Sequence, residues 1–128
     1  MSPELTLKEL LGKTITSCEG ASVGSTEVIF DTKDGKRFRM YHQQDCCEGV
    51  DIEKVTGRVE HILKSPVLSA LESTSHDEPP DAEPSEYTRE SATWTEFTIS
   101  TKKGSFKIRW LGESNGYYSE SVDFVEIK

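Results

Sequence analysis

The sequence predicts an α+β protein, mainly antiparallel β-sheet with short helices, and three observations carry that reading. Asp34-Gly35 sits between two alternating stretches, Glu27 to Asp31 and Arg37 to His42, the strongest short-range hairpin signal. A second alternating pair lies near the C-terminus. There Phe97 and Ile99 oppose Trp94, Glu96 and Thr98, and Phe106, Ile108 and Trp110 oppose Lys107 and Arg109. Helical spacing of apolar residues occurs in short runs, first at Leu7, Leu10 and Leu11.

In chain order, Ser2-Pro3-Glu4 and the Thr6/Glu9 capping-box spacing predict a short helix that Gly12 ends. Thr14 to Cys18 reads as a strand, and Gly20 to Ser25 as a loop of small residues. After the hairpin, Val50 to Val55 predicts a strand and Val59 to Leu63 one or two helical turns. Pro66 breaks these, and Val67 to Leu71 returns to a strand. Residues 73–86 hold Asp77, Glu78, Asp81, Glu83 and Glu86 with three prolines and no Lys or Arg. Such a stretch buries too little apolar surface to offset chain entropy, so a mobile acidic loop is expected at about 73–90. The remainder reads as a β-meander: Thr93 to Thr101, a turn at Lys102-Lys103-Gly104, Ser105 to Trp110, a turn from Gly112 to Gly116, and a last strand from Tyr117 to Ile127.

With 128 residues, 1–128 reads as a single domain. Being 34% hydrophobic and 30% charged, it has material for a modest core and no apolar run of the ~20 residues a membrane span needs. The N-terminus lacks the basic and apolar regions of a signal peptide, so a cytosolic protein is expected. The net charge of −8 argues against a general grip on duplex nucleic acid. Removing the five loop acids leaves about −3 for the body, which keeps a small anionic ligand open. Three cysteines, Cys18, Cys46 and Cys47, make a poor disulfide framework and suit a reducing compartment.

Two constellations could carry chemistry. His42-Gln43-Gln44-Asp45-Cys46-Cys47-Glu48 is dense in polar groups. Adjacent cysteines rarely present both sulfurs to one ion and no CxxC accompanies them, so neither metal nor cofactor is expected. The plainer reading makes Cys46 or Cys47 a small buried hydrophobe and Asp45 a turn cap. Arg109 to Glu120 places a guanidinium, the rings of Trp110 and Tyr117, the Asn115 amide and hydroxyls together, the parts of a nucleotide site; a plain hairpin with one buried face fits equally well. Arg37 and Arg39 share a strand face and offer a pair for a diphosphate, or a solvated face. No P-loop, GxGxxG, GxSxG or HExxH pattern occurs.

Two segments together, His42 to Glu48 followed by Val50-Asp51-Ile52-Glu53, and Ile108-Arg109-Trp110 followed by Ser114 to Val122, resemble the phage Thoeris anti-defence one family of cyclic-nucleotide-signal sponge proteins. The resemblance runs from about Lys13 to Ile127. It implies a non-enzymatic phage protein of the host cell cytoplasm that sequesters cyclic ADP-ribose isomers, and in some members cyclic oligonucleotides, without cleaving them. It further implies a homo-oligomer, a hexamer, with pockets between protomers. Arg109 would take phosphate, Asn115 would lie near the ligand, and Trp94 or Phe97 would stack the adenine. Two other classes remain open: an enzyme cleaving a nucleotide phosphoester with His42, Asp45 or Glu48 as acid or base, and a protein-blocking or structural module.

Overall fold

A computed structural model describes residues 6–44, 47–77, 80, 91–114 and 119–127. Among them run eight strands: β1 (Ile15–Glu19), β2 (Glu27–Thr32), β3 (Arg37–Tyr41), β4 (Gly49–Gly57), β5 (Ser69–Ser75), β6 (Ser91–Thr101), β7 (Gly104–Ser114) and β8 (Asp123–Ile127). They form two four-stranded sheets, ordered β1-β2-β3-β8 and β4-β7-β6-β5, with every pairing antiparallel.

Alternation sends one side of each strand into a shared core. Val28, Phe30, Phe38, Met40 and Phe124 come from the first sheet, and Ile52, Phe97, Ile99, Phe106, Ile108 and Trp110 from the second. The Trp110 indole donates to the Met40 sulfur at 3.3 Å and so links the layers. Phe124 stacks on Phe38, with centroids 5.4 Å apart, and meets Phe30 edge-on.

The Asp34-Gly35 hairpin forms as its sequence predicts. Gly35 takes a φ of 87°, and the Asp34 carboxylate accepts from the Thr32 hydroxyl and the Lys36 amide. The β6–β7 hairpin likewise keeps the expected faces.

Several expectations are corrected. The described helical segments are two short 3-10 turns, Leu7–Leu10 and Val59–Ile62, so the architecture is mainly β rather than α+β. Thr6 makes no side-chain cap, and Leu7 and Leu10, three apart, take the buried side while Leu11 is exposed. Strand β5 begins at Ser69 and continues to Ser75, into the stretch read as loop. Residues 78, 79 and 81–90 of that stretch lie outside the described residues. Gly112 lies within β7 rather than opening a turn. The C-terminal meander also fails: residues 119–122 are not strand, and β8 crosses to the other sheet, where Phe124 registers with Met40 of β3.

Candidate functional site

The β3–β8 pairing decides where the two polar motifs go. Tyr41 registers with Asp123, so the chain leaving β3 and the chain entering β8 meet at the same sheet end. There His42 is clamped at both ring nitrogens. Nδ1 donates to the Ser121 carbonyl at 2.7 Å, and Nε2 lies 2.7 Å from Glu48 Oε2. Both side chains are buried, the Glu48 carboxylate completely. The Gln43 amide donates to Asp123 at 3.1 Å, and the Gln44 side chain to the Glu48 carbonyl at 2.7 Å. A cavity of ≈ 370 Å³ opens here, bounded by His42, Gln43, Gln44, Ser119, Ser121 and Asp123.

Residues 119–122 form a strap across the inner face of the second sheet. A Cβ on Gly112 would come within 2.6 Å of the Glu120 Cβ and 2.7 Å of its carbonyl, so only glycine lets the strap lie that close. Glu120, 8% exposed, points down: Oε1 accepts from Thr93 at 2.8 Å and Oε2 from Ser114. Because the Thr93 proton goes to Glu120, its oxygen accepts from His76 Nδ1 at 3.2 Å. Alternation along β5 and β6 aligns Glu72, Thr74 and His76 beside Thr93 and Thr95, and with the strap these border a second, open cavity of ≈ 350 Å³. Ser119 and Ser121, bonded to each other at 2.8 Å, border both cavities.

The residues singled out by sequence are distributed unevenly. His42 borders the first cavity, while Asp45, Asn115 and Tyr117 lie outside the described residues. Arg109 is buried and bonded to Glu53 through Nε at 2.7 Å and Nη2 at 3.2 Å. A β-bulge between Ile52 and Lys54 brings Glu53 onto it. Trp94 and Leu111 are buried beside it, outside the main core cluster. Phe97 and Trp110 are core residues with their rings packed against other side chains, a placement the aromatic count of the sequence does not distinguish from stacking on a ligand. Arg37 and Arg39 share the outer face of the first sheet, each bonded to a carboxylate, Asp31 and Glu27 respectively. Arg39 also lies 3.8 Å from the Tyr41 ring centroid.

Charge and burial tune several groups. The bonds from Arg37 and Ser17 hold the Asp31 carboxyl below its ordinary range, and Lys13 and Thr32 do the same to Asp34. Burial raises Asp51, with the Glu113 charge adding to it. Burial also pushes the free Cys18 thiol up to about 12. Of the two adjacent cysteines, Cys47 is exposed and disulfide-bonded, which corrects for that residue the reading as a small buried hydrophobe and a reduced thiol; Cys46 lies outside the described residues. No group of three His, Cys, Asp or Glu among the described residues could hold a metal ion. No described helix is long and apolar enough to cross a membrane.

Sequence reasoning missed Glu72, Thr74, His76, Thr93 and Thr95, and it marked the stretch ending at Glu120 without giving that carboxylate a role. The period-two spacing of 72, 74 and 76 was a usable signal, hidden by the acidic stretch that follows. No curated protein and no solved structure matches this chain. A family profile does match, across residues 8–124, nearly the whole folded body, and it describes a domain of unknown function. The chain belongs to that family, DUF7448.

Proposed function

We propose that this protein is a sponge for a cyclic ADP-ribose-type signal, binding it without turnover as a homo-oligomer and thereby blocking Thoeris-like immunity in the host cytoplasm. The observation that carries this reading is the convergence of its two polar motifs. Residues 42–44 and 48 meet residues 119–123 through His42–Ser121 and Gln43–Asp123, with a cavity on each side of the strap. These are the segments in which the sequence resembles the sponge family.

Binding is favoured over catalysis by the state of His42 and Glu48. An acid or base must reach the reacting proton. Here the imidazole nitrogens face Glu48 and a backbone carbonyl, and both side chains are buried. The pair braces the strap and has no ring nitrogen turned to a ligand.

The test is to incubate the protein with cyclic ADP-ribose isomers and cyclic oligonucleotides, pass it through gel filtration, heat the protein fraction and identify what is released by mass spectrometry. An intact cyclic ADP-ribose isomer co-eluting with an oligomer is expected. A converted product would make the protein an enzyme. An empty protein fraction would overturn the sponge reading.

A further inference from the structure

The cavity beside the strap lacks the guanidinium and ammonium groups of a phosphate site among the described residues. The buried Glu120 carboxylate would repel an anion, and no Lys or Arg lines the cavity among the described residues. A metal is also a poor fit, because no triplet of suitable ligands is present among those residues. What the cavity offers is neutral hydrogen bonding. Thr95 is only 5% exposed as a residue, its hydroxyl makes no hydrogen bond to another described residue, and it lines the cavity. Thr74 registers beside it on β5 and adds a second hydroxyl. Because Thr93 donates to Glu120, the neutral His76 ring that bonds Thr93 carries its proton on Nδ1 and turns Nε2 outward as an acceptor. At ≈ 350 Å³ the cavity lies at the low end of the ~300–1,000 Å³ typical of small-molecule pockets, enough for a single sugar ring.

We propose that this cavity binds the ring hydroxyls of a pentose, with Thr74, Thr95 and His76 Nε2 as the hydrogen-bonding groups and Glu120 positioning His76 through Thr93. The proposal deepens the sponge reading and rests on it for the larger ligand, of which the pentose would be the ribose. The ring hydroxyls are donors and acceptors at once, matching a wall of hydroxyls and acceptors where a phosphate would meet like charge.

Two measurements test it. Methyl β-D-ribofuranoside added to isotope-labelled protein should shift the amide signals of Thr74, Thr93 and Thr95, and its 2-deoxy analogue should shift them less. Calorimetry with cyclic ADP-ribose should show about tenfold weaker binding to Thr95→Val, the cost of one hydrogen bond, and near-normal binding to Thr95→Ser. Cavity signals unmoved by the riboside would overturn the pentose site, whether or not Thr95→Val folds. If cyclic ADP-ribose binds while the riboside leaves the cavity unmoved, the sponge stands and the pentose site falls. If the riboside binds and cyclic ADP-ribose does not, the sponge falls and the pentose site stands.

Discussion

The inner face of the second sheet is one surface with two characters. Toward the β6–β7 turn it carries Phe97, Ile99, Phe106 and Ile108, fully covered by the first sheet and the 3-10 turns. Toward the strap the same face carries Thr93 and Thr95 on β6, buried beside residues 119–122, and Thr74 and His76, which stay exposed at the rim of a cavity. The alternation does not change between them; the covering element does. A sheet packed on a sheet excludes water and selects apolar side chains, whereas a single extended strap bonded through Glu120 and Ser121 leaves room and requires polar ones. Stability should therefore be concentrated in the first region and binding in the second.

The sharpest way to break that division is to empty the apolar region. Phe97→Ala removes a ring with no exposed surface, and the expected loss is about 3–5 kcal/mol in chemical denaturation. A loss below ~1 kcal/mol would mean that the ring is not core and would reopen it as a ligand residue. Next in size is the clamp on the strap. His42→Ala takes the imidazole from a buried Glu48 and should cost about 3 kcal/mol by the same measurement. Under the sponge reading the surviving folded fraction still releases its ligand intact. Turnover that disappears with the imidazole while stability is unchanged would instead make His42 catalytic.

The sequence shows the apolar region well and the polar one poorly, for a physical reason. The Asp34-Gly35 turn and the alternation of Phe97/Ile99 with Glu96/Thr98 are local properties, legible from neighbours a few residues apart. Gly112 is not. Its need to be glycine comes from Glu120 pressing on it, a tertiary contact, and without that contact a glycine beside Ser114 reads as a turn. The last strand was misplaced for a similar reason, since nothing local tells a β-branched run whether it continues one sheet or crosses to the other. Composition did mark residues 42–48 as unusual, but it could not say that His42 and Glu48 would be consumed by each other. Arg109 likewise has the chemistry of a phosphate ligand, and the bulge that delivers Glu53 to it is invisible in the pattern.

A smaller effect is expected where the strap touches the sheet. Gly112→Ala introduces a methyl group 2.6 Å from the Glu120 Cβ and 2.7 Å from a carbonyl, so the strap must lift. Overpacking of this kind costs about 1–3 kcal/mol. The signature that separates it from a core change is in the amide signals of Thr93 and Ser114, whose bonds to Glu120 should break before global unfolding. A variant with unchanged signals at both positions would show that the strap does not depend on the close approach.

The smallest effect should come from the pair of arginines that the sequence offers to a diphosphate. Phe38 and Met40 point into the core, so Arg37 and Arg39 project from the opposite side of β3, away from both the apolar region and the cavity. The Arg39–Glu27 pair is well exposed, with side chains 39% and 44% accessible, so water and salt screen it. Arg39→Ala should then change stability by no more than ~1 kcal/mol, with the difference shrinking further as salt is raised. It should also leave the affinity for cyclic ADP-ribose within about twofold, because the guanidinium lies on the face turned away from the strap. A tenfold loss of affinity with stability intact would overturn that placement. It would move the phosphates to the outer face of the first sheet, and in a homo-oligomer that face would have to come from a neighbouring protomer to complete the site.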